Sequence, residues 1–375
     1  MYDVSSNPTD SLHFAMTFSP RTLFVAAVLA AAVGLPVLPA TAASTKPLPR
    51  LSAASFVLAD LNTGEVLAAR DPHGRHRPAS TLKVLTALTL LPELDPAIVY
   101  TAVFDDANVD GSKVGVVPDA TYMVHNLFEG LFLMSGNDAA NALANAGGGV
   151  AQTVAAMNTT AGELGANDTT AVNPSGLDAD GQFTSAYDLA LFARAALERA
   201  DFRAYATTVK SDFPGKMPRK NKRRKTFEIW TQNKLVLNYD GAIGVKNGWT
   251  TKARGTFVGA ATRGGRSLVA VVMRTKPPSW EESAALLDWG FANADTVAPA
   301  DTLAQPAADE PAAEAETLPQ QAVALGSRTA AGVGNSPALP WYTWSALALA
   351  GVLVALRARV VLLRRRRRPL RPLLR

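Results

Sequence analysis

The run TFVGAATRGGRSLVAVVM (256–273) holds two apolar stretches separated by Arg-Gly-Gly, which reads as a β-hairpin close to the end of the globular part of the chain. A second hairpin stands near the beginning, where SFVLAD (55–60) and EVLAAR (65–70) flank a turn at LNTG. Between them the apolar residues fall at helical spacing, as in VHNLFEGLFLM (124–134). SWEESAALLDWGFA (279–292) has Ser279 with Glu282 three residues on, a capping-box pattern that predicts a further helix. Strands at both ends with helices in the middle do not fit a repeating βαβ order. They predict an α+β fold, an antiparallel sheet made from both ends of the domain and covered by helices.

The 375 residues suffice for one large domain or two ordinary ones plus tails. No cysteine is present, which excludes disulfides, thiolate metal sites and cysteine nucleophiles. His73 and His76 form a His-x-x-His pair in a loop-like run, but without surrounding carboxylates at zinc-ligand spacing, so no metal is expected. The net charge is +5, yet removing the nine arginines beyond position 356 brings it to −4. The body is therefore mildly acidic, and a nucleic-acid role, which needs a basic face on the folded domain, is not expected. Only KMPRKNKRRK (216–225) is locally basic; it reads as a solvated loop able to touch anionic wall polymer or lipid headgroups.

The two ends predict location. TLFVAAVLAAAVGLPVLPATAA (22–43) is an apolar run behind Arg21, and Ala40-Thr41-Ala42 has the form of a signal-peptidase site, so residues 1–42 read as a leader. A start at Met16 would give that leader a more ordinary basic beginning. The apolar WYTWSALALAGVLVAL (341–356), extended by VVLL (360–363), approaches the roughly 20 residues that span a bilayer. Its tryptophans suit one interface, and Arg364 to Arg368 suit the cytoplasmic side of the other. The expected organisation is a leader (1–42), a catalytic domain (43–293), a disordered Ala/Pro-rich linker (294–340), a transmembrane helix (341–363) and a basic cytoplasmic tail (364–375). The domain itself would then face the wall, outside the membrane.

Three short motifs carry the chemistry. In Ser80-Thr81-Leu82-Lys83 the serine and lysine share a helix face, so that the amine can reach the hydroxyl. Ser80 alone also reads as a plain N-cap, with Lys83 on a solvated face. Ser135-Gly136-Asn137 begins another helix, where Ser135 suits a cap as well as chemistry. Lys246-Asn247-Gly248 lies beside the second hairpin, with a glycine that lets a ligand approach the backbone. The set S-x-x-K, S-x-N and K-T-G, in this order and at wide spacing, is the pattern of penicillin-binding proteins and class A β-lactamases, and here its third element reads Lys-Asn-Gly.

From about residue 50 to 292 the chain resembles the low-molecular-weight D-alanyl-D-alanine carboxypeptidases, the serine peptidases related to penicillin-binding protein 5. RPASTLKVLTAL, GSKVGVVPDATY, LFLMSGNDAANALA, NPSGLDADGQFTSAYDLALFARAAL and GVKNGWTTKARGTFVGAA carry the likeness. The resemblance implies a β-lactamase/transpeptidase-like fold and a peptidoglycan stem peptide ending in D-Ala-D-Ala as substrate. β-Lactams would act as covalent inhibitors, and neither metal nor organic cofactor would be needed. It further implies Ser80 as nucleophile, Lys83 as general base and Ser135 as proton relay to the leaving amine. Asn137 would hold the substrate amide and Lys83, Lys246 would meet the terminal carboxylate, and the Ser80 and Trp249 amides would form an oxyanion hole. The NPSGLD loop (173–178) is expected to position helices and take no part in chemistry; Arg254 and Arg274 are further candidates for the carboxylate. Asn247 departs from the family's usual threonine, and the family's frequent second, β-rich domain is absent. A β-lactamase-like hydrolase is the rival within the enzymes, against which stands the absence of a Glu-x-x-Leu-Asn run. A silent wall-binding module is the rival outside them, against which stand the intact Ser80 and Lys83.

Overall fold

The structure, a computed structural model, describes residues 47–218 and 222–304. Two hairpins supply the frame: β1 (Ser55–Asp60) with β2 (Glu65–Arg70), and, from the other end, β8 (Arg254–Arg263) with β9 (Arg266–Thr275). β1 pairs antiparallel with β9, joining the two ends of the domain as expected. The strand β7 (Ala242–Thr250) adds to β8 as one edge, and β10 (Asp301–Thr302) adds to β2 as the other. The sheet order is thus β10-β2-β1-β9-β8-β7, antiparallel throughout.

Both faces of this sheet are covered, which explains why β1 is buried along its whole length. Val57 and Ala59 point into a large core shared with the helices, while Phe56 and Leu58 point into a smaller one. The helix α8 (Ser279–Asn293) seals the smaller core with Leu286 and Leu287. On the other face lie α1 (Lys83–Leu90), α2 (Val124–Leu133), α3 (Asn137–Ala146), α4 (Val150–Glu163), α5 (Ala186–Glu198) and α6 (Ala200–Thr207). Two small ribbons complete the fold, β3 (Val99–Thr101) with β4 (Thr121–Met123), and β5 (Lys210–Pro214) with β6 (Thr226–Trp230). The short helix α7 (Lys234–Asn238) leads into β7.

Three local expectations are corrected. The capping box at Ser279 does not form: the N-cap is Pro278, and Ser279 is the first helical residue. Glu282 instead accepts from the Ser52 and Ala53 amides, both at 3.0 Å, and from the Ser52 hydroxyl, clasping the start of the domain to α8. Its carboxylate finds better donors in a neighbouring segment than in its own helix end. Ser135 likewise does not cap α3. Gly136 holds the N-cap position without a side-chain bond, and Ser135 sits at φ 55° with its hydroxyl turned elsewhere.

The folded unit also runs beyond 293, the expected start of the linker. Residues to 304 belong to it, because Asp301 and Thr302 pair with Val66 and Glu65, and Leu303 is fully buried. Val297 and Leu303 are the large apolar side chains of that Ala/Pro-rich stretch, and both pack on the core. The leader (1–42), the rest of the linker, the apolar run 341–363 and the arginine tail 364–375 lie outside the described residues. So do 219–221 within the basic run, where Lys216, Lys222, Arg223 and Lys225 are exposed. Arg224 of that run turns back onto the fold, bonding the Thr121 and Gly215 carbonyls. Among the described residues, no helix is long and apolar enough to cross a membrane.

The Glu282 clasp yields a direct test. Glu282→Ala removes a charged acceptor from three donors and is expected to cost about 2 kcal/mol. Thermal denaturation should show a midpoint lower by several degrees, and hydrogen exchange at residues 50–55 should accelerate selectively. An unchanged exchange pattern there would mean that the clasp does not hold the domain's first strand in place.

Candidate active site

The site assembles where four separated segments meet the edge strand β7. The first is a 3₁₀ turn, Ala79–Leu82, that leads into α1, so Ser80 lies in the turn and Lys83 begins the α-helix proper. Two hydroxyls fix this turn, Thr81 from within it and Thr256 from β8: both donate to the Pro78 carbonyl, at 2.6 and 2.9 Å. Ala79, fully buried, is held at φ 49°, a conformation that costs a non-glycine residue and that the packing around it imposes. Gly176 is part of that packing. A Cβ there would lie 1.8 Å from the Ala79 carbonyl oxygen, so only glycine lets the 173–178 loop close on the turn.

Lys83 is 1% exposed, and its Nζ has three partners. These are the Ser80 hydroxyl at 3.1 Å, Asn137 Oδ1 at 2.7 Å and the Ser175 carbonyl at 2.6 Å. Burial pushes the Lys83 ammonium well below its ordinary pKa. The neighbouring Lys246 cation pushes the same way, and Asp138 opposes both. The amide of Asn137 is oriented by its other end, since Nδ2 donates to the Asp110 carbonyl at 2.7 Å and so turns Oδ1 to the lysine. A neutral amine offers two hydrogens and one lone pair. The carbonyls of Asn137 and Ser175 can only accept, so they take the two hydrogens and leave the lone pair facing Ser80. Of the three partners only the Ser80 hydroxyl can donate back. Chemically, this arrangement can pass a proton from Ser80 to a neutral Lys83.

The second lysine is buried to the same degree, at 1% exposed. Lys246 Nζ donates to the Ser135 hydroxyl at 3.0 Å, the Asn247 carbonyl at 2.9 Å and Asn247 Oδ1 at 3.1 Å. Burial lowers its pKa to about 7. Asp138, the group that opposes the shift at Lys83, also organises the backbone around the site. Its carboxylate, fully buried, accepts from the amides of Val114, Gly115, Val116 and Ala139 at 2.8–2.9 Å, tying the 110–117 loop to α3.

Gly248 brings the strand against the Ser80 turn. An added Cβ would stand 2.8 Å from the Ser80 nitrogen and 2.6 Å from Thr256 Oγ1. The Ser80 amide lies in the first turn, where helical amides have no intrahelical acceptor. Beside it opens a cleft of about 510 Å³, lined by Ser80, Gly111, Ser112, Asn137, Asp178, Trp249 and Thr250 among others. Trp249 is 59% exposed at its edge.

The eight motif residues therefore gather in one place: Ser80, Lys83, Ser135, Asn137, Lys246, Asn247, Gly248 and Trp249; Arg254 and Arg274, the further candidates, are exposed residues of β8 and β9 outside the lining of the Ser80 cleft. The 173–178 loop does more than position helices, because its Ser175 carbonyl is a partner of Lys83. Sequence reasoning missed that group and the Asp138 hub. Asp178, which accepts from the Thr250 hydroxyl at 3.0 Å, was missed as well. Of the histidine pair, His73 faces Asp168 at 2.9 Å and His76 faces Asp71 at 3.5 Å, each outside this site.

Residues 40–277 match the family model described as D-alanyl-D-alanine carboxypeptidase. The D-alanyl-D-alanine carboxypeptidase DacB2 of Mycobacterium tuberculosis is 43% identical over 257 residues, covering 67% of this chain and 86% of its own. The Escherichia coli DacA is 32% identical, and its match spans 64% of that longer protein. Among solved structures, a D-alanyl-D-alanine carboxypeptidase from Mycobacterium tuberculosis superposes with a TM-score of 0.64 at 42% identity, covering 68% of this chain and 98% of that one. A Streptomyces DD-transpeptidase superposes with a TM-score of 0.62 at 26% identity, covering 66% of this chain and all of that one.

The tight contact at Gly248 is expected to be decisive for reactivity. Gly248→Ala forces Ser80 away from the strand, and a displacement of this kind costs roughly 100-fold in rate. Rapid-quench measurement of serine acylation on the folded variant, with circular dichroism as the control for folding, checks it. Wild-type acylation in a folded variant would mean that the approach of β7 to Ser80 has no part in the chemistry.

Proposed function

This chain belongs to the D-alanyl-D-alanine carboxypeptidase family, and from that premise we propose how its own residues carry the reaction. The activity is that of a serine-type peptidase of the penicillin-binding kind, which removes the terminal D-alanine from peptidoglycan stem peptides. Ser80 Oγ attacks the carbonyl carbon of the bond between the last two D-alanines while its proton passes to Lys83. The developing oxyanion is received by the amides of Ser80 and Trp249, donors aimed where charge appears. As the C–N bond breaks, Ser135 relays a proton to the departing amine. Lys246 as a cation and the Asn247 side chain hold the terminal carboxylate, and Asn137 holds the substrate amide. Water then hydrolyses the ester on Ser80, releasing the shortened peptide.

The observation that carries this reading is the set of partners around Lys83: two obligate acceptors and one hydroxyl, leaving a neutral amine only Ser80 as a proton source. A β-lactam would acylate the same serine. Slow release is expected, since among the described residues the cleft lining holds no glutamate to activate water, and Asp178 is engaged by Thr250. That favours a penicillin target over a penicillin-destroying enzyme.

For location, we propose that residues 1–42 are a leader and that 341–363 form a transmembrane helix with the arginine tail in the cytoplasm. The catalytic domain then faces the wall, on a spacer that starts after residue 304. The apolar character of both runs and the one-sided arginine cluster support this.

Two experiments test the chemistry. Incubated with a fluorescent penicillin and run on a denaturing gel, the wild type should carry a stable label that Ser80→Ala lacks; equal labelling of the variant would remove Ser80 as nucleophile. The pH profile of kcat/KM should be bell-shaped. Activity rises as Lys83 loses its proton at its depressed pKa, and falls as Lys246 loses its charge near pH 7. Lys246→Gln should lower the maximum and abolish the basic limb. A basic limb that persists in this variant would show that the charge of Lys246 is not what it reports.

A further inference from the structure

Thr256 carries a fully buried hydroxyl within the apolar run of β8. Side chains alternate along a strand, so Thr256 shares a face with Val258 and Ala260, which belong to the large core beneath the helices. The pairing of β8 with β9 slips between Gly255 and Thr256, a bulge of the kind that re-aims a side chain. From there the Thr256 hydroxyl leaves the sheet and donates to the Pro78 carbonyl at 2.9 Å, 178 positions earlier in the chain. The same oxygen accepts from Thr81 at 2.6 Å, so both of its lone pairs are taken. Gly248 of β7 is the cross-strand partner of Thr256. A Cβ at Gly248 would stand 2.6 Å from Thr256 Oγ1. Threonine is stiff at χ1, so the hydroxyl has no ready way round such a group.

We propose that Thr256 is a positioning residue for Ser80, and that the glycine of the third motif leaves the passage through which its hydroxyl reaches the turn. The inference rests on the reading of Ser80 as nucleophile. The two peptide groups ahead of Ser80 are held from different walls of the site. Thr256 holds the Pro78 carbonyl from the sheet, and the 173–178 loop packs Gly176 against the Ala79 carbonyl. Ala79 stands between them at φ 49°, so the path of the chain into Ser80 is kept by these contacts and not by its own preference. Without the Thr256 bond the first of these groups is released from the sheet, while Lys83 keeps Asn137 and Ser175. Ser80 Oγ then shifts against a base that stays in place. The cost falls on proton transfer and attack, and the groups that hold the carboxylate, Lys246 and Asn247, are left as they were.

Thr256→Val removes the hydroxyl and keeps the branched shape. In rapid-quench acylation of the full-length protein by a penicillin, its rate constant at saturation should fall by ~10- to 100-fold, the scale of a small misplacement of a reacting group. The penicillin concentration that gives half-saturation should stay at the wild-type value, as should the acid limb of the pH profile. Thr256→Ser should restore most of the rate. A packing role predicts the reverse order, since valine keeps the volume and serine loses it. Should valine unfold the chain, Thr256→Ala measured against Thr256→Ser makes the same comparison. In a Gly248→Ala background, which already displaces the hydroxyl, Thr256→Val should cost less than a further ~2-fold, because neighbouring changes that break one contact do not add. A folded Thr256→Val that acylates like wild type overturns the proposal. So does a loss that serine fails to repair, or one that appears in half-saturation alone. Losses at 248 and 256 that multiply overturn the role given to the glycine. A wild type without any adduct, or an equal adduct on Ser80→Ala, would instead overturn the reading of Ser80 as nucleophile.

Discussion

Two lysine amines are buried within one site, and both cannot keep a charge there without a heavy desolvation cost. An unpaired ammonium taken from water into a protein interior costs several kcal/mol, and a second one beside it adds repulsion. The site divides the roles between them. Lys83, held well below its ordinary range by burial and by the Lys246 cation, is the amine that the proposed mechanism uses in its neutral form. Lys246, with a pKa lowered to about 7, is poised to be charged when an anion arrives. The rest of the structure can be read as the apparatus that keeps these two amines dry and supplied with acceptors.

Those acceptors come from far apart in the chain. Lys83 meets Asn137 and Ser175, 54 and 92 positions away, and Lys246 meets Ser135, 111 positions away. Nothing local holds such groups in register. The sheet does, through β1 pairing with β9, and the Asp138 carboxylate does, through four backbone amides. Folding energy and catalytic geometry are thus drawn from the same bonds. Ala79 and Ser135 stand at positive φ beside the reactive groups, where a conformation unfavourable on its own is imposed by packing on every side.

How much of this was legible beforehand follows from the kind of signal each group leaves. The hairpins at 55–70 and 254–275 were readable because turn residues and apolar runs carry their own pattern, and their antiparallel pairing followed from their places at the two ends. Ser80, Lys83 and the other motif residues were readable because their chemistry resides in side chains at fixed spacing. The Ser175 carbonyl was not, since every residue has one and only the path of the backbone makes it a ligand. Glu282 looked like half of a capping box, and a capping box and an interdomain-style clasp use the same carboxylate. Composition set the linker boundary at 294, but two apolar side chains, Val297 and Leu303, were enough to hold the chain to the core as far as residue 304.

The asparagine at 247, a departure from the family's usual threonine, has chemistry that suits the proposed contact with a carboxylate. Its Oδ1 accepts from Lys246, giving that ammonium a third acceptor alongside Ser135 and the Asn247 carbonyl. With the oxygen engaged in this way, what the amide presents elsewhere is its NH₂, two donors and no acceptor. A carboxylate is an acceptor-only group, so a donor-only face suits it, whereas a threonine hydroxyl carries lone pairs as well as its single proton. The extra acceptor also favours the protonated form of Lys246, which burial alone disfavours. In the proposed mechanism Asn247 would therefore serve the carboxylate twice, directly through its NH₂ and indirectly by helping the neighbouring lysine keep its charge.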